Sequence, residues 1–221
     1  MSNFFYHFTK TVIKYLSLPF IKLDYKSNWP RSTRPKIYAA NHPSTLDPVL
    51  VMSALKDTVS ILITNSVFQI PIIGYLIRKS GHIPVVSDQG NLAYQHALKQ
   101  LKTGKSILIF PEGRLSAIDG ITYPPFSGVI RLALETKAPI VPIGISFAKD
   151  KTITKNIKIK QKVDMARFFI KGKYALTSGT PINVSGNIFD KLKINSQKCL
   201  LMNTINSLAE ESALRLYRFR H

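Results

Sequence analysis

From Lys36 onward, short apolar runs alternate with segments of helical periodicity, and this alternation restricts the chain to few folds. Five apolar runs predict strands: Lys36–Ala40, Val59–Ile63, His82–Val86, Ser106–Phe110 and Ile140–Ser146. Three segments between them predict helices: Pro48–Ala54, Asn91–Leu101 and Val129–Thr136. Such alternation predicts an α/β fold in which helices flank a mostly parallel central sheet.

The rest of the chain carries weaker patterns. Further strands are predicted at Ile157–Lys162, Arg167–Ile170 and Lys173–Leu176, and the first of these carries lysines in the manner of an edge strand. Residues 197–217 predict a final amphipathic helix. A length of 221 residues favours one α/β domain, which we assign to residues 26–221.

An amphipathic helix precedes this domain. Residues 4–18 place Phe5, Phe8, Val12 and Leu16 on one stripe, with Lys10 and Lys14 on the opposite side. We assign residues 1–25 to a helix at a membrane interface. The pattern alone fits equally well a helix that packs on the domain.

Charge favours the interface. The chain has 31 Lys and Arg residues against 12 Asp and Glu, a net charge of +19, which predicts a polyanionic partner such as an anionic membrane surface or a nucleic acid. Lysines interrupt the first apolar stretch and polar residues interrupt Val59–Ile77, so neither a signal peptide nor a transmembrane helix is predicted. We therefore expect a peripheral membrane protein on the cytoplasmic face.

A histidine and an aspartate follow the first predicted strand of the domain. They stand five positions apart at His42 and Asp47, in a turn with prolines at Pro43 and Pro48. If the turn folds Asp47 onto the ring of His42, one imidazole nitrogen bonds the carboxylate and the other can take a proton from a substrate hydroxyl. The alternative is that Asp47 only caps the helix that Pro48 opens.

A second turn follows the strand Ser106–Phe110. There Glu112 can accept hydrogen bonds from a polyol or orient Arg114, Gly113 permits close backbone approach, and Arg114 offers a fork suited to phosphate. Further on, Pro142 interrupts the last apolar strand and predicts an edge position or a bulge.

Three motifs together resemble the glycerolipid acyltransferase family, whose best-known members are 1-acylglycerol-3-phosphate acyltransferases. They are Asn-His-Pro-Ser-Thr-Leu-Asp at 41–47, Phe-Pro-Glu-Gly-Arg at 110–114 and Val-Pro-Ile at 141–143. The resemblance implies that His42 is the base, that Asp47 orients it, and that Glu112, Gly113 and Arg114 shape the acceptor site. It also implies an acyl donor that is a thioester of coenzyme A or acyl carrier protein, and a lysophospholipid acceptor.

The chain departs from the family pattern at three basic positions. Val86 and Ser87 stand where the family usually has an arginine, Leu115 where Glu-Gly-Thr-Arg would place one, and Ser127 where a basic residue is usual. Arg78, Lys79 or Arg131 could substitute from another element.

Direct transfer is the predicted mechanism, with no metal and no bound cofactor apart from the thioester co-substrate. The chain has no Gly-x-Ser-x-Gly motif, and its one cysteine, Cys199, is expected to be a small buried hydrophobe. Two competing functions are a catalytically inactive lipid-binding scaffold and a nucleic-acid-binding protein. The lysines are spread along the chain without a nucleic-acid motif, so no specific nucleic acid is expected.

Overall fold

The computed structural model of this chain describes residues 2–17, 19–29, 32–117, 123–159 and 162–217. Within these ranges the α-helices are α1 (Ser2–Ser17), α2 (Asp47–Ala54), α3 (Ile73–Lys79), α4 (Gly90–Lys102), α5 (Gly128–Thr136) and α6 (Lys191–Tyr217). The strands are β1 (Ile21–Ser27), β2 (Ile37–Ala40), β3 (Val59–Thr64), β4 (Ile83–Val85), β5 (Ser106–Ile109), β6 (Ile140–Phe147), β7 (Thr152–Ile159), β8 (Lys162–Phe169) and β9 (Gly172–Ser178).

Seven strands form the central sheet in the order β1-β9-β6-β2-β5-β3-β4. The neighbouring pairs are parallel except for β6 and β9, which run antiparallel. The predicted fold class, a mostly parallel sheet flanked by helices, is confirmed. Because β2 and β5 are parallel neighbours, the turns that follow them meet at the same edge of the sheet.

Helices cover both faces of the sheet. On one face, α4, α5 and α6 bury a cluster that includes Ala97, Leu132 and Ile205. On the other face, α1 and α2 contribute Tyr6 and Leu50 to a second cluster. Removing this apolar surface from water is the main force that fixes the layers.

The hairpin of β7 and β8 stands apart from the central sheet as a separate antiparallel pair. The lysine-bearing segment Ile157–Lys162, predicted as one edge strand, spans the end of β7 and the start of β8. Residues 160–161 lie outside the described residues. The predicted strands Arg167–Ile170 and Lys173–Leu176 correspond to the end of β8 and the middle of β9.

The N-terminal helix packs on the domain and also keeps apolar side chains exposed. Tyr6 and Thr9 of α1 are buried, and Thr9 Oγ1 lies 3.2 Å from Ser80 Oγ. Phe4 and Phe8 are exposed, the latter on the predicted apolar stripe. The predicted helix thus exists, while the side chains of Lys14 and Leu16 lie outside the described residues.

The predicted boundary at residue 25 is wrong. The helix ends at Ser17, and Ile21–Ser27 is β1, which pairs in parallel with β9 at the edge of the central sheet. Ile21, Leu23 and Tyr25 alternate with Lys22, Asp24 and Lys26, which is the period of a strand.

The edge position or bulge predicted at Pro142 is also wrong. Pro142 lies in β6, an interior strand, and stays in regular register with Ala39 of β2. On the side that faces β9, its carbonyl accepts the Gly179 N–H at 2.9 Å. The ladder between β6 and β9 begins at the next residue, Ile143, which pairs with Ser178. Its nitrogen faces the same side, so no ladder hydrogen bond is lost.

The last helix, α6, begins at Lys191 rather than at the predicted residue 197, and it packs along β6 and β9. Leu201, Ile205 and Leu208 face the sheet. Cys199 is exposed, contrary to prediction, because it lies two residues before Leu201 and so about 200° around the helix axis.

Candidate active site

The turn after β2 brings His42 and Asp47 into direct contact. Nδ1 of His42 lies 2.9 Å from Oδ2 of Asp47. Asp47 is the first residue of α2, and its carboxylate makes no capping hydrogen bond to that helix. Within this structure the pairing interpretation of His-x-x-x-x-Asp therefore prevails over the capping one.

Three donors converge on the Asp47 carboxylate, which is completely buried. Besides His42, the Ser44 N–H donates to Oδ2 at 2.7 Å and the Tyr174 hydroxyl donates to Oδ1 at 2.5 Å. Burial raises the pKa of Asp47 above its ordinary value, while the hydrogen bonds from His42, Tyr174 and Ser44 oppose that rise. The carboxylate is held in a dry, fully bonded position that fixes the ring of His42.

Tyr174 was not predicted as part of the site. It lies on β9, and the sequence around it indicates only a strand. Burial and the adjacent Asp47 carboxylate raise the pKa of Tyr174 well above its ordinary value. The phenol therefore remains a hydrogen-bond donor at neutral pH.

The ring of Phe110 packs against one face of the His42 imidazole. Its ring stacks on the His42 imidazole with 4.2 Å between centroids and 23° between planes. Phe110 is the first residue of the motif at 110–114, so the two motif turns are joined by this stack. With Nδ1 engaged by Asp47, Nε2 is the nitrogen of His42 that remains for a substrate proton.

Ser116 joins the two turns a second time. Its Oγ accepts the His42 backbone N–H at 2.9 Å and donates to Oε1 of Glu112 at 2.5 Å, and its own N–H donates to the His42 carbonyl at 2.8 Å. Glu112 is buried, and Ser116 alone connects its carboxylate to the backbone of His42. It orients Ser116 rather than Arg114.

Gly113 has the close contact that its motif position suggests. Its φ is +66°, a region that L side chains rarely adopt, and an added Cβ would lie 2.4 Å from the ring of Phe126. Arg114 is exposed, with its guanidinium 4.8 Å from the centroid of the Tyr123 ring. Of the three predicted acceptor residues, Glu112 is the one that the structure links to the His42 turn, through Ser116.

Two of the suggested substitute cations contact their own segment. Arg78 donates to the Phe68 carbonyl and lies over the Phe68 ring, and Lys79 lies over the ring of Tyr75. The arginine that touches the site is Arg167 of β8, which sequence reasoning treated only as part of a strand. Its NH1 donates to the carbonyls of Pro43 at 3.1 Å and Ser116 at 2.9 Å.

Among the described histidines, His42 is the one that pairs with a carboxylate. His82 is buried immediately before β4 and accepts the Ile61 N–H through Nδ1 at 3.2 Å, and burial lowers its pKa to about 4. His96 is exposed on α4. Within the described ranges no cluster of three or more His, Cys, Asp or Glu side chains has the arrangement to hold a metal ion.

The site consists of a half-buried imidazole, oriented by a buried carboxylate, at the edge of the sheet where β2 and β5 end. This is the arrangement of a general base acting on a hydroxyl or water. A family model described as Acyltransferase matches residues 21–146, more than half of the chain. The chain belongs to this Acyltransferase family.

Relatives with assigned names agree with this family. The chain is 30% identical over 145 residues to a chloroplastic 1-acyl-sn-glycerol-3-phosphate acyltransferase (BAT2) of Brassica napus, which covers 63% of this chain and 42% of that protein. It is 31% identical over 120 residues to a lyso-ornithine lipid O-acyltransferase of Pseudomonas aeruginosa, covering 53% of this chain and 45% of that protein. The alignments thus span less than half the length of these relatives.

The fold is also that of a solved acyltransferase structure. The 1-acyl-sn-glycerophosphate (LPA) acyltransferase PlsC from Thermotoga maritima superposes with a TM-score of 0.65 at 20% identity, over 95% of this chain and 78% of that one. At that identity the likeness establishes the fold.

Proposed function

We propose that this chain transfers a fatty acyl group from a thioester of coenzyme A or acyl carrier protein to the free hydroxyl of a lysophospholipid, such as 1-acylglycerol-3-phosphate. The observation that carries this proposal is the contact of His42 Nδ1 with the buried Asp47 carboxylate. The named relatives, which act on lysolipids or 1-acylglycerol phosphate, support the choice of acceptor.

In the proposed reaction, Nε2 of His42 takes the proton of the acceptor hydroxyl as its oxygen attacks the thioester carbonyl carbon. The C–O bond forms, the C–S bond breaks, and the proton on the imidazole passes to the departing thiolate. Asp47 stabilises the transient imidazolium and holds the tautomer in which Nε2 is unprotonated. The thioester is a co-substrate, and the proposed reaction uses no further cofactor and no metal.

The test is transfer of a labelled acyl group by the full chain in anionic vesicles. Each thioester donor is offered with a panel of lysophospholipids and with lyso-ornithine lipid, and the acylated product is measured. We expect one donor class and at least one acceptor to give product in proportion to protein. Binding of the lysolipids without any ester formation would overturn the proposal in favour of the lipid-binding scaffold.

We also propose that the chain reaches its acceptor by peripheral association with an anionic membrane. Within the described part of the chain, no helix is both long and apolar enough to cross a bilayer. Exposed apolar side chains of α1, of α3 and of the residue before α3 instead form one surface, the α1–α3 surface, whose members are Phe4, Phe8, Ile72, Ile73 and Tyr75. The ring of Phe5, 6.1 Å from that of Tyr75, connects its two halves.

Composition and charge support a lipid occupant for the α1–α3 surface. Contiguous apolar surface on a chain of net charge +19 fits an anionic bilayer, where apolar insertion and charge attraction add. The helix α1 itself packs on the carboxyl end of α2 and the start of β3, where Lys10 donates to the Leu55 carbonyl and the Tyr6 hydroxyl accepts the Val59 N–H. That the membrane face is the cytoplasmic one stays a prediction.

Removing the two phenylalanines of α1 should weaken vesicle binding. In the double variant Phe4→Ser/Phe8→Ser, we expect the partition coefficient onto anionic vesicles to fall about 30-fold, since two phenyl groups lose roughly 2 kcal/mol of apolar burial. Sedimentation with vesicles measures it. Phe189→Ser, at a position 83% exposed outside this surface, is the matched control. Equal binding by both variants would rule out the α1–α3 surface.

A further inference from the structure

Arg167 is a buried cation that pairs with no carboxylate of the described residues. Its side chain is almost fully buried, with 5% of the residue exposed. Its NH1 donates to two backbone carbonyls, while the buried Nε has no hydrogen-bond partner within the described ranges. Among the residues that the structure describes, no Asp or Glu forms an ion pair with it. A buried charge and a buried unpaired donor are both costly in a protein interior, so this arrangement is typical of a site completed by an anion.

The place of this cation relates it to the reaction. NH1 lies 3.1 Å from the carbonyl of Pro43, the residue after His42, and 2.9 Å from the carbonyl of Ser116. The backbone of Arg167 is fixed as well, because its N–H donates to Thr45 Oγ1 and its carbonyl accepts the Thr45 N–H. The guanidinium is therefore held rigidly beside the turn that carries the general base.

We propose that Arg167 binds the phosphate monoester of the acceptor lipid. This assignment rests on the proposed acyl transfer to a lysophospholipid. Arg167 would supply a cation that this sequence lacks at Val86, Leu115 and Ser127, where the family usually has basic residues. Arg167 lies outside residues 21–146, the range that matches the family model.

The chemistry of the two substrates favours the acceptor over the donor. In 1-acylglycerol-3-phosphate the phosphate stands only a few bonds from the hydroxyl that His42 would deprotonate. The phosphates of coenzyme A are separated from its thioester by the whole pantetheine arm. A guanidinium that contacts the residue after His42 matches the first spacing, and its planar fork suits a phosphate.

Apolar side chains continue from Arg167 toward the tip of the hairpin. Met165 and Val163 occupy alternate positions before Arg167, so all three lie on the same side of β8. Met165 is 54% exposed and Val163 is 61% exposed. A charged group followed by exposed apolar side chains fits a ligand that has a phosphate and a hydrocarbon chain.

Binding can be tested without any acyl transfer. The imidazole NMR signals of His42 are followed while sn-glycerol 3-phosphate, glycerol or adenosine 3′,5′-bisphosphate is added to the native chain, to Arg167→Gln and to Arg167→Lys. Lys155→Gln, which removes the same charge from an exposed position on the same hairpin, is the matched control. Following His42 separates binding at the site from general attraction of anions to a basic surface.

We expect glycerol 3-phosphate to shift the His42 signals in the native chain and in Lys155→Gln. In Arg167→Gln the affinity should fall about 10- to 100-fold, the loss of a hydrogen bond to a charged group, with Arg167→Lys intermediate. Undiminished binding in both Arg167 variants would overturn the proposal. So would Arg167-dependent binding of the adenosine bisphosphate in place of glycerol 3-phosphate. If Arg167→Gln does not fold, Arg167→Lys decides the matter.

Kinetics separate phosphate binding from a purely structural role. With 1-acylglycerol-3-phosphate as acceptor, we expect Arg167→Lys to raise KM with little change in kcat. A fall in kcat at unchanged KM would mean that Arg167 only holds the two turns together, and would overturn the inference. Arg167-dependent phosphate binding by a native chain that transfers no acyl group would refute the proposed function and leave the anion site standing.

Discussion

His42→Ala should reduce acyl transfer by about 10²- to 10⁴-fold, the usual contribution of a general base. The change removes Nε2, the nitrogen that remains free once Nδ1 is held by Asp47. Initial rates with the preferred donor and acceptor measure the effect, and His96→Ala provides the same substitution at an exposed position of α4. The fold should survive, because the His42 side chain is 17% exposed and its backbone bonds to Ser116 remain.

Because Asp47 is proposed to act through His42, the effects of the two variants should not be additive. Asp47→Asn should lose activity, since an amide cannot stabilise the imidazolium as a carboxylate does, and the double variant should be no slower than His42→Ala. A His42→Ala protein that keeps activity within a fewfold of the native rate would refute the general-base role. Additive losses would indicate that Asp47 acts independently of the histidine.

Gly144→Ala should lower the free energy of unfolding by about 3 kcal/mol, at the upper end of the cost of overpacking. A Cβ on Gly144 of β6 would lie 2.0 Å from the backbone nitrogen of Ala209 in α6, so that helix would have to move away from the sheet. Urea denaturation measures the change. Gly128→Ala at the start of α5, where an added Cβ meets nothing within 4 Å, is the matched control and should not destabilise the fold.

The same substitution should also affect the site. Ile145, the next residue of β6, exchanges two hydrogen bonds with the Asn41 side chain, at 2.7 and 3.0 Å, and Asn41 precedes His42. We therefore expect Gly144→Ala to reduce acyl transfer even under conditions where the variant stays folded. If Gly144→Ala lowered the free energy of unfolding by less than about 1 kcal/mol, close to the effect of an ordinary surface substitution, α6 would not be packed on β6 as the structure has it.

The elements that the sequence predicts most accurately are the strands in the buried part of the central sheet and three of the helices between them. The five apolar runs became β2 to β6 and the three periodic segments became α2, α4 and α5. By contrast, the alternating pattern of β1 is visible in the sequence, although residues up to Tyr25 are assigned above to the preceding helix. Its pairing with β9 could not be predicted, because β9 lies far along the chain and inserts between β1 and β6.

The site divides in the same way. The sequence by itself determined that His42 and Asp47 share one local turn, because they stand five residues apart with two prolines between and beside them. The structure decided that Asp47 pairs with the histidine and does not cap the helix. That Glu112 lies nearby follows from the sheet, because β2 and β5 are parallel neighbours whose following turns meet at one edge.

Tertiary structure alone placed Tyr174 on the Asp47 carboxylate and Arg167 against both turns. Those two residues stand more than a hundred positions from the histidine turn, on a strand and a hairpin with no pattern beyond that of β structure. Their positions follow from the antiparallel insertion of β9 and the packing of the β7–β8 hairpin. These long-range contacts depend on how the whole core is buried, which no local stretch of sequence encodes.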